Sequence, residues 1–454
     1  MKILLVRPKP HKETIGLKHV MICEPLELEY LVSNIPEELK GICQGEIVDM
    51  ILEKKTFREI LQEKEPDMVL YTGYITHVGT IREMAGLTKS HLPDAITGVG
   101  GVHGEVVPED FLDPNIDLVF GRNGVEAFQS TLRGLLSGET LEKIKRDNFE
   151  ISRKELDFTL NTPDRSSVSR YRKDYYYMFH NPCALIKTSY GCPYNCSFCF
   201  CKEITNGNYH SRSMESVIEE IKQIPEEEIY IVDDDFLFGR EKLLKFAELL
   251  KKEGIDKKFL VYGRADFIVE NRDIMELLKD VGLRAVIVGI ESIRESDFVD
   301  YNKKTSREIN ERCIETLNKL GIELYATMIV PLDFSRDDFR QLTRWLRKQK
   351  VTFVNLQPLT PLPGTEIFDK YRDKLLYDRT EHHVFDMAHV VLKPEKMSVR
   401  MFYLRLLLSY YSVVTRPVNI IRLIKEYGVA ANIRMLKGSQ MVSLQYWKKI
   451  ARGY

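Results

Sequence analysis

The chain has 454 residues, enough for about two to three domains, each with its own core. Hydrophobic residues make up 44% and charged residues 29%, as in an ordinary soluble globular protein, and a formal net charge of −1 gives no electrostatic reason to bind nucleic acid. No stretch approaches the ~20 consecutive apolar residues of a membrane span; the longest greasy run, residues 402–414, is broken by Arg405, Ser409 and Ser412.

The opening MKILLVRPKP stops at Pro8, too short an apolar core for a secretory signal, and reads as a first strand. Further short apolar runs at residues 68–71, 95–99 and 118–120 alternate with helical patterns at 57–63, 80–89 and 124–136. Buried strands separated by helices predict a parallel, doubly wound sheet over residues 1–140. Ligands of such sheets sit at the carboxyl ends of the strands, where this sequence places small and polar residues: Thr72 to Thr76, Gly98 to His103, and Gly121 to Gly124. Residues 141–182, dense first in charge and then in turn formers, are the expected linker. A second α/β series occupies residues 183–365, with strands at 185–188, 229–232, 259–262, 285–288, 324–329 and 353–356 and helices between them. Six βα units are about two short of a closed barrel, so a partial TIM-type barrel is expected. Asp233, Asp234, Arg264, Glu291 and Gln357 fall at its strand ends, where barrels of this type place chemistry. Residues 366–454 turn helical and aromatic, and clearly basic after Arg416.

Of eight cysteines, three form Cys192-Pro-Tyr-Asn-Cys196-Ser-Phe-Cys199 directly after the first strand of the second series. Tight clustering in a chain this long points to metal rather than to disulfides. Three thiolates on one loop can hold three irons of a cubane and leave the fourth iron open to a reactive ligand. The competing reading is zinc, with Cys201 or His210 as fourth ligand; structural zinc ligands usually come as two short pairs instead.

The triplet, with Phe198 in the aromatic position, resembles the radical S-adenosylmethionine (SAM) superfamily. The run from His210 to Val217, Val232-Asp-Asp-Asp-Phe236, Gly289-Ile-Glu-Ser292 and Pro361-Leu-Pro-Gly-Thr365 resemble, in order and spacing, the cobalamin-dependent branch of that superfamily. The resemblance implies a [4Fe–4S] cluster on Cys192, Cys196 and Cys199, SAM on the free iron, and reductive cleavage of SAM to a 5′-deoxyadenosyl radical. It places Phe198, Asp233, Asp234, Arg264 and Glu291 as SAM contacts. One departure is Pro331-Leu-Asp-Phe-Ser335, where the family usually has a glycine-rich turn against SAM.

The N-terminal region is similar to the cobalamin-binding domain of the same branch, on residues 2–8, 24–31, 100–112 and 117–128, with Glu27 where glycine is frequent. That similarity implies a cobalamin cradle of Thr72, Thr76, Gly100, Gly101, His103 and Glu126. The Asp-x-His-x-x-Gly motif that supplies a histidine to cobalt elsewhere is missing, so neither His103 nor His77 is assigned to the metal. A Rossmann-like nucleotide site is the rival, but Arg7-Pro8-Lys9-Pro10 stands where its G-x-G-x-x-G would be.

Together the cofactors imply methyl transfer to an unactivated carbon, with a radical cyclase or rearrangement enzyme as alternative and a non-catalytic cobalamin or Fe–S sensor as a further one. Residues 385–394 look like the matching segment of hopanoid-lipid methylases, the nearest resemblance beside the bacteriochlorophyll ring cyclases. Expected partners are an apolar or lipid-like small molecule and a flavodoxin or ferredoxin as electron donor. The expected place is the cytoplasm, with the basic tail either at the inner membrane face or simply capping the barrel.

Overall fold

The computed structural model describes residues 1–16, 19–156, 159–205 and 207–453; two positions of the expected linker, 157 and 158, lie outside them. The N-terminal domain is a five-stranded parallel sheet of β1 (Lys2–Arg7), β2 (Gln44–Asp49), β3 (Met68–Thr72), β4 (Ile96–Gly100) and β5 (Leu118–Val119), ordered β2-β1-β3-β4-β5. Its strands read as continuous apolar runs because both faces are covered. Ile3 and Leu5 pack with Ile47 and Leu70 on one face, while Leu4 and Val6 pack with Val48 and Val99 on the other. Four of these strands are legible in the sequence. The fifth, β2, is an edge strand whose polar, partly exposed first half, Gln44-Gly45-Glu46, hides the signal. Strand order reverses between β1 and β3, so Arg7 and Thr72 flank the crevice where sheets of this topology bind ligands.

The expected linker is structured. Helix Leu141–Ser152, started by the Thr140 side chain on the amide of Lys143, packs on helix Gly124–Leu136, and Val168, Tyr171 and Tyr175 are buried in the same core.

The second domain is a six-stranded parallel sheet in sequential order: β6 (Cys183–Ile186), β7 (Glu228–Ile231), β8 (Lys258–Gly263), β9 (Leu283–Glu291), β10 (Glu323–Val330) and β11 (Phe353–Pro358). Alternate residues face outward into the helical layer, among them Ile186, Ile231, Val261, Val288 and Met328. The intervening ones, including Leu185, Tyr230, Ile287 and Tyr325, face the concave side. A closed barrel fills its interior with side-chain layers. This open one leaves a cavity.

Buried charges fasten the two domains together. The Arg165 guanidinium donates to Glu24 (2.6 Å), to Glu220 (2.8 Å) and to the Leu185 carbonyl (2.7 Å). Arg212 donates to the other Glu220 oxygen at 2.6 Å. The C-terminal region is helical as expected. Helix Val399–Val414 is followed by Pro417–Arg452, which bends at Gly428, where φ is 75° and ψ 170°.

Candidate active site

A cavity of about 2040 Å³ runs from the β1–β3 crevice, past the concave face of the second sheet, to the bent C-terminal helix. It is at least about twice the size of an ordinary single-ligand pocket. Both predicted halves of the site open into it.

On the second domain, Cys192, Cys196, Phe198 and Cys199 all line this cavity. The three thiols are half-buried, and burial pushes that of Cys192 up to about 12. Neighbouring chain holds the loop in place. The Asn302 side chain donates to the Asn195 carbonyl (2.6 Å), the Ser197 amide to the Tyr301 carbonyl (3.1 Å), and the Phe198 ring meets Tyr301 edge-on at 5.7 Å.

The acidic run after β7 divides into three environments. Asp233 is wholly buried and accepts from the amides of Thr188 (2.6 Å) and Ser189 (2.9 Å) and from both their hydroxyls. With these acceptor positions filled, it ties down the strand that leads into the cysteine loop and is a poor ligand contact. Asp234 accepts from the Gly191 amide (2.8 Å), lies 3.5 Å from Lys187, and keeps a face on the cavity. Asp235 is 2% exposed, has no partner for either oxygen, and burial pushes it up to about 7. An orphaned carboxyl facing a cavity beside Cys192 is the mark of an absent cationic or hydrogen-bond-donating ligand.

The remaining predicted residues of this half are also drawn together, but in pairs. The Arg264 guanidinium grips Asp266 (3.0 and 2.9 Å), donates to the Lys304 carbonyl (3.0 Å) and lies 3.6 Å over the Tyr194 ring. Its Nε and Nη2 are engaged, so it braces the cysteine loop. Glu291, at a φ of 59°, accepts from the buried ammonium of Lys303 at 2.9 Å. Gly289 makes room for that pair, since a Cβ there would lie 2.2 Å from Glu291 and 2.4 Å from Lys303. The glycine-free turn around Asp333 is pinned by two bonds from Arg294, at 2.9 and 2.8 Å.

On the N-terminal domain, Thr72, Thr76, Gly100, Gly101, His103 and Glu126 all reach the cavity. Gly101 has a φ of 95°, and a Cβ would stand 2.9 Å from the Thr72 hydroxyl, so the position requires glycine. Thr72 donates to Glu27 at 3.0 Å. His103 turns Nε2 to Asp110 (2.8 Å), which also meets His382 and Arg379 at 3.2 Å. That makes His103 part of a polar clasp between domains. Glu126 pairs with Lys154 at the cavity edge. His77 accepts the Tyr74 amide on Nδ1 (3.2 Å), and burial pulls its pKa down to about 4.

Residues the sequence reading did not single out are Asp235, Lys303 and Glu105, and Tyr74 entered it only as part of the Thr72–Thr76 loop. Asp235 was visible as the third member of the run. Glu105, pushed up to about 7 by burial, and Tyr74, whose ring protrudes 60% exposed into the cavity, carry no motif. Lys303 lies 12 residues beyond Glu291 and meets it only through the fold.

Fold and site join a loop of three cysteines to the ligand crevice of a doubly wound sheet in one chamber. The comparisons with known proteins agree. Residues 186–346 match the radical SAM superfamily and residues 21–131 the B12 binding domain. The chain is 28% identical to the hopanoid C-3 methylase of Methylococcus capsulatus, over 89% of this chain and 78% of that protein. It is 22% identical to the anaerobic magnesium-protoporphyrin IX monomethyl ester cyclase of Cereibacter sphaeroides, over 90% of this chain and 72% of that protein. The structure of the radical SAM methyltransferase TsrM from Kitasatospora setae, with cobalamin and a [4Fe–4S] cluster bound, shares the fold at a TM-score of 0.63 and 16% identity, over 82% of this chain and 78% of that one. The protein is a cobalamin-dependent radical SAM enzyme. Its residues fit those cofactors: three thiols share one loop, an unpartnered carboxyl stands beside them, and the crevice opposite is floored by a glycine that admits no side chain.

Proposed function

We propose that this enzyme transfers a methyl group to an unactivated carbon of an apolar, lipid-like molecule. When bound, the cluster and SAM supply the radical that removes a hydrogen atom, and cobalamin supplies the methyl group. The observation that carries the reading is the single chamber joining the cysteine loop, the β1–β3 crevice and an apolar wall from the C-terminal helix.

Cys192, Cys196 and Cys199 would hold the cluster, and Phe198 steadies the loop against the Tyr301 ring. Asp235 would accept from the SAM amino group and Asp234 from its ribose, and Lys303, swung from Glu291, would donate to its carboxylate; bonds assisted by charge are comparatively strong. Asp233 and Arg264 position the loop. The cobalamin cradle would comprise Thr72, Thr76, Gly100 and Gly101 with Tyr74 beside them, and no histidine of this chain is assigned to cobalt.

The substrate occupies the end walled by Ile424, Ile433, Leu436 and Trp447, which line the cavity and are also exposed at its mouth. On the outer side of the same helix Val418, Ile421 and Met441 are exposed beside Lys425, Lys437 and Lys448, a composition suited to an anionic leaflet at the cytoplasmic face. Arg422 and Arg434 turn inward, to Thr352 (2.8 Å) and to the Met178 carbonyl (3.2 Å), so the basic surface is smaller than the sequence implies. Among the described residues no helix is long and apolar enough to cross a membrane.

The test is anaerobic incubation with methyl-deuterated SAM, a reductant, cobalamin and a hopanoid. Labelled methyl in the lipid supports the reading. The cyclase alternative predicts 5′-deoxyadenosine with no label in the product.

A further inference from the structure

Strand register divides the concave face of the second sheet into tiers. Ile287, Tyr325 and Phe353 lie side by side on β9, β10 and β11. The Tyr325 and Phe353 rings stack at 4.7 Å, and this apolar tier packs with Leu423 and Met435 of the C-terminal helix. Two residues further along each strand, Gly289, Thr327 and Asn355 form the next tier, and Gln357 follows Asn355 on the same face of β11. Thr327, Asn355 and Gln357 are half-buried and line the cavity. The Tyr410 hydroxyl accepts the Leu356 amide (2.7 Å) and turns its proton to the Leu356 carbonyl (3.0 Å) and to Asn355 Oδ1 (3.2 Å). That leaves the Asn355 amino group for the cavity. Among the described residues it has no hydrogen-bond partner, and neither the Thr327 hydroxyl nor the Gln357 amide has one either.

A mostly apolar chamber orients its ligand through the few polar groups that converge in it. A pure hydrocarbon lying against these three would desolvate them and return no hydrogen bond. From this arrangement we propose that the substrate carries a neutral hydroxyl or carbonyl oxygen, which Thr327, Asn355 and Gln357 bind. The inference deepens the lipid-like reading above and rests on it. The Asn355 amino group donates, while the Thr327 hydroxyl and the Gln357 amide can each donate or accept, a set that suits either kind of oxygen. It offers no cation to a phosphate or carboxylate head group, because the adjacent Lys303 is engaged by Glu291. Thr327 is the β10 neighbour of Gly289, and Gly289 makes room for that Glu291–Lys303 pair. The oxygen therefore enters beside the SAM site, and the apolar body lies over Tyr325 and Phe353 toward the C-terminal helix. Thr327, Asn355 and Gln357 set specificity, since a site built to bond an oxygen rejects the analogue that lacks it.

The test is equilibrium binding to the anaerobically reconstituted full chain. The probes are a tritiated hopane hydrocarbon and its two alcohols, hydroxylated at one or the other end of the skeleton. The proteins are wild type, Thr327→Val, Asn355→Leu and Gln357→Met; the first and last substitutions nearly conserve shape. The quantity read is the affinity for the better alcohol divided by that for the hydrocarbon, so that differences in aqueous solubility cancel between proteins. This ratio should fall by roughly tenfold in each variant, as expected when a hydrogen bond is lost in a desolvated site. Iron content, SAM binding and the spectrum of bound cobalamin should stay at wild-type values. The same ratio in all four proteins would overturn the inference. So would variants that bind SAM more weakly while keeping their preference for the alcohol, because the three residues would then belong to the SAM pocket. A wild type that binds neither the hydrocarbon nor an alcohol would instead overturn the lipid-like reading.

Discussion

Asp233→Ala separates a structural carboxylate from its two neighbours. Asp233 is fully buried and receives the backbone amides of Thr188 and Ser189 together with their hydroxyls. Truncation to alanine strands two buried amides. At about 1–3 kcal/mol for each unpaired group the loss is ~2–6 kcal/mol, a large share of the roughly 5–15 kcal/mol by which domains are stable. The hydroxyls add little, because they can rotate toward other acceptors. Asp233→Asn keeps a carbonyl for both amides and turns an NH2 toward the hydroxyls, so it should cost only about 1 kcal/mol. Asp234→Ala, losing the Gly191 amide bond together with weaker contacts to Lys187 and the Cys201 thiol from a partly exposed side chain, should cost about 1–2 kcal/mol. Urea midpoints of the apo-protein, read beside iron content after anaerobic reconstitution, give the ranking. Asp233→Ala should melt early and load iron poorly, because Thr188 and Ser189 lead directly into Gly191 and Cys192. An alanine variant that melts with wild type and holds full iron would refute the reasoning and return Asp233 to the ligand.

For Asp235, burial raises the folded pKa from 3.8 to about 7. A group raised in the folded state contributes stability in full below its unfolded pKa and loses it as pH climbs through the folded value. At about 1.4 kcal/mol per unit, the apo-protein should therefore lose roughly 4 kcal/mol between about pH 4 and 7, and Asp235→Asn should remove that slope. SAM should bind the reconstituted protein more tightly as pH rises through about 7, an effect absent from the variant; titration at several pH values reads it. The triple Cys→Ala variant at 192, 196 and 199 should hold almost no iron against about four per chain in wild type, by metal analysis. His77→Ala and His103→Ala should leave the absorption spectrum of bound cobalamin unchanged; a shift in either would mean a histidine sits on cobalt. Removal of residues 417–454 should abolish flotation with anionic liposomes, which in the full chain should weaken with salt as charges are screened over about 8 Å.

Sequence alone determined whatever depends on neighbours along the chain. The cysteine triplet, the alternation of strands with helices and the glycines after β4 are local patterns, and local patterns survive in one dimension. Helices Met214–Gln223 and Arg336–Lys348 start from equally local signals, the hydroxyls of Ser213 and Ser335 accepting the amides three residues on. The tertiary structure decided the rest, for reasons of partner and burial. Three consecutive aspartates look alike as letters. Only the fold surrounds Asp233 with donors, leaves Asp235 with none, and gives Asp234 one amide and an open side. Arg264 and Glu291 were placed correctly at strand ends, yet their charges are engaged by Asp266 and Lys303, whose proximity no spacing encodes. β2 was lost for the converse reason: an edge strand need not be apolar along its whole length, and its pairing with β1 joins residues 42 positions apart in the chain. A motif names the chemistry a chain can hold, but the free energy that makes one carboxylate a strut and the next a ligand comes from groups brought close only when the sheets close around them.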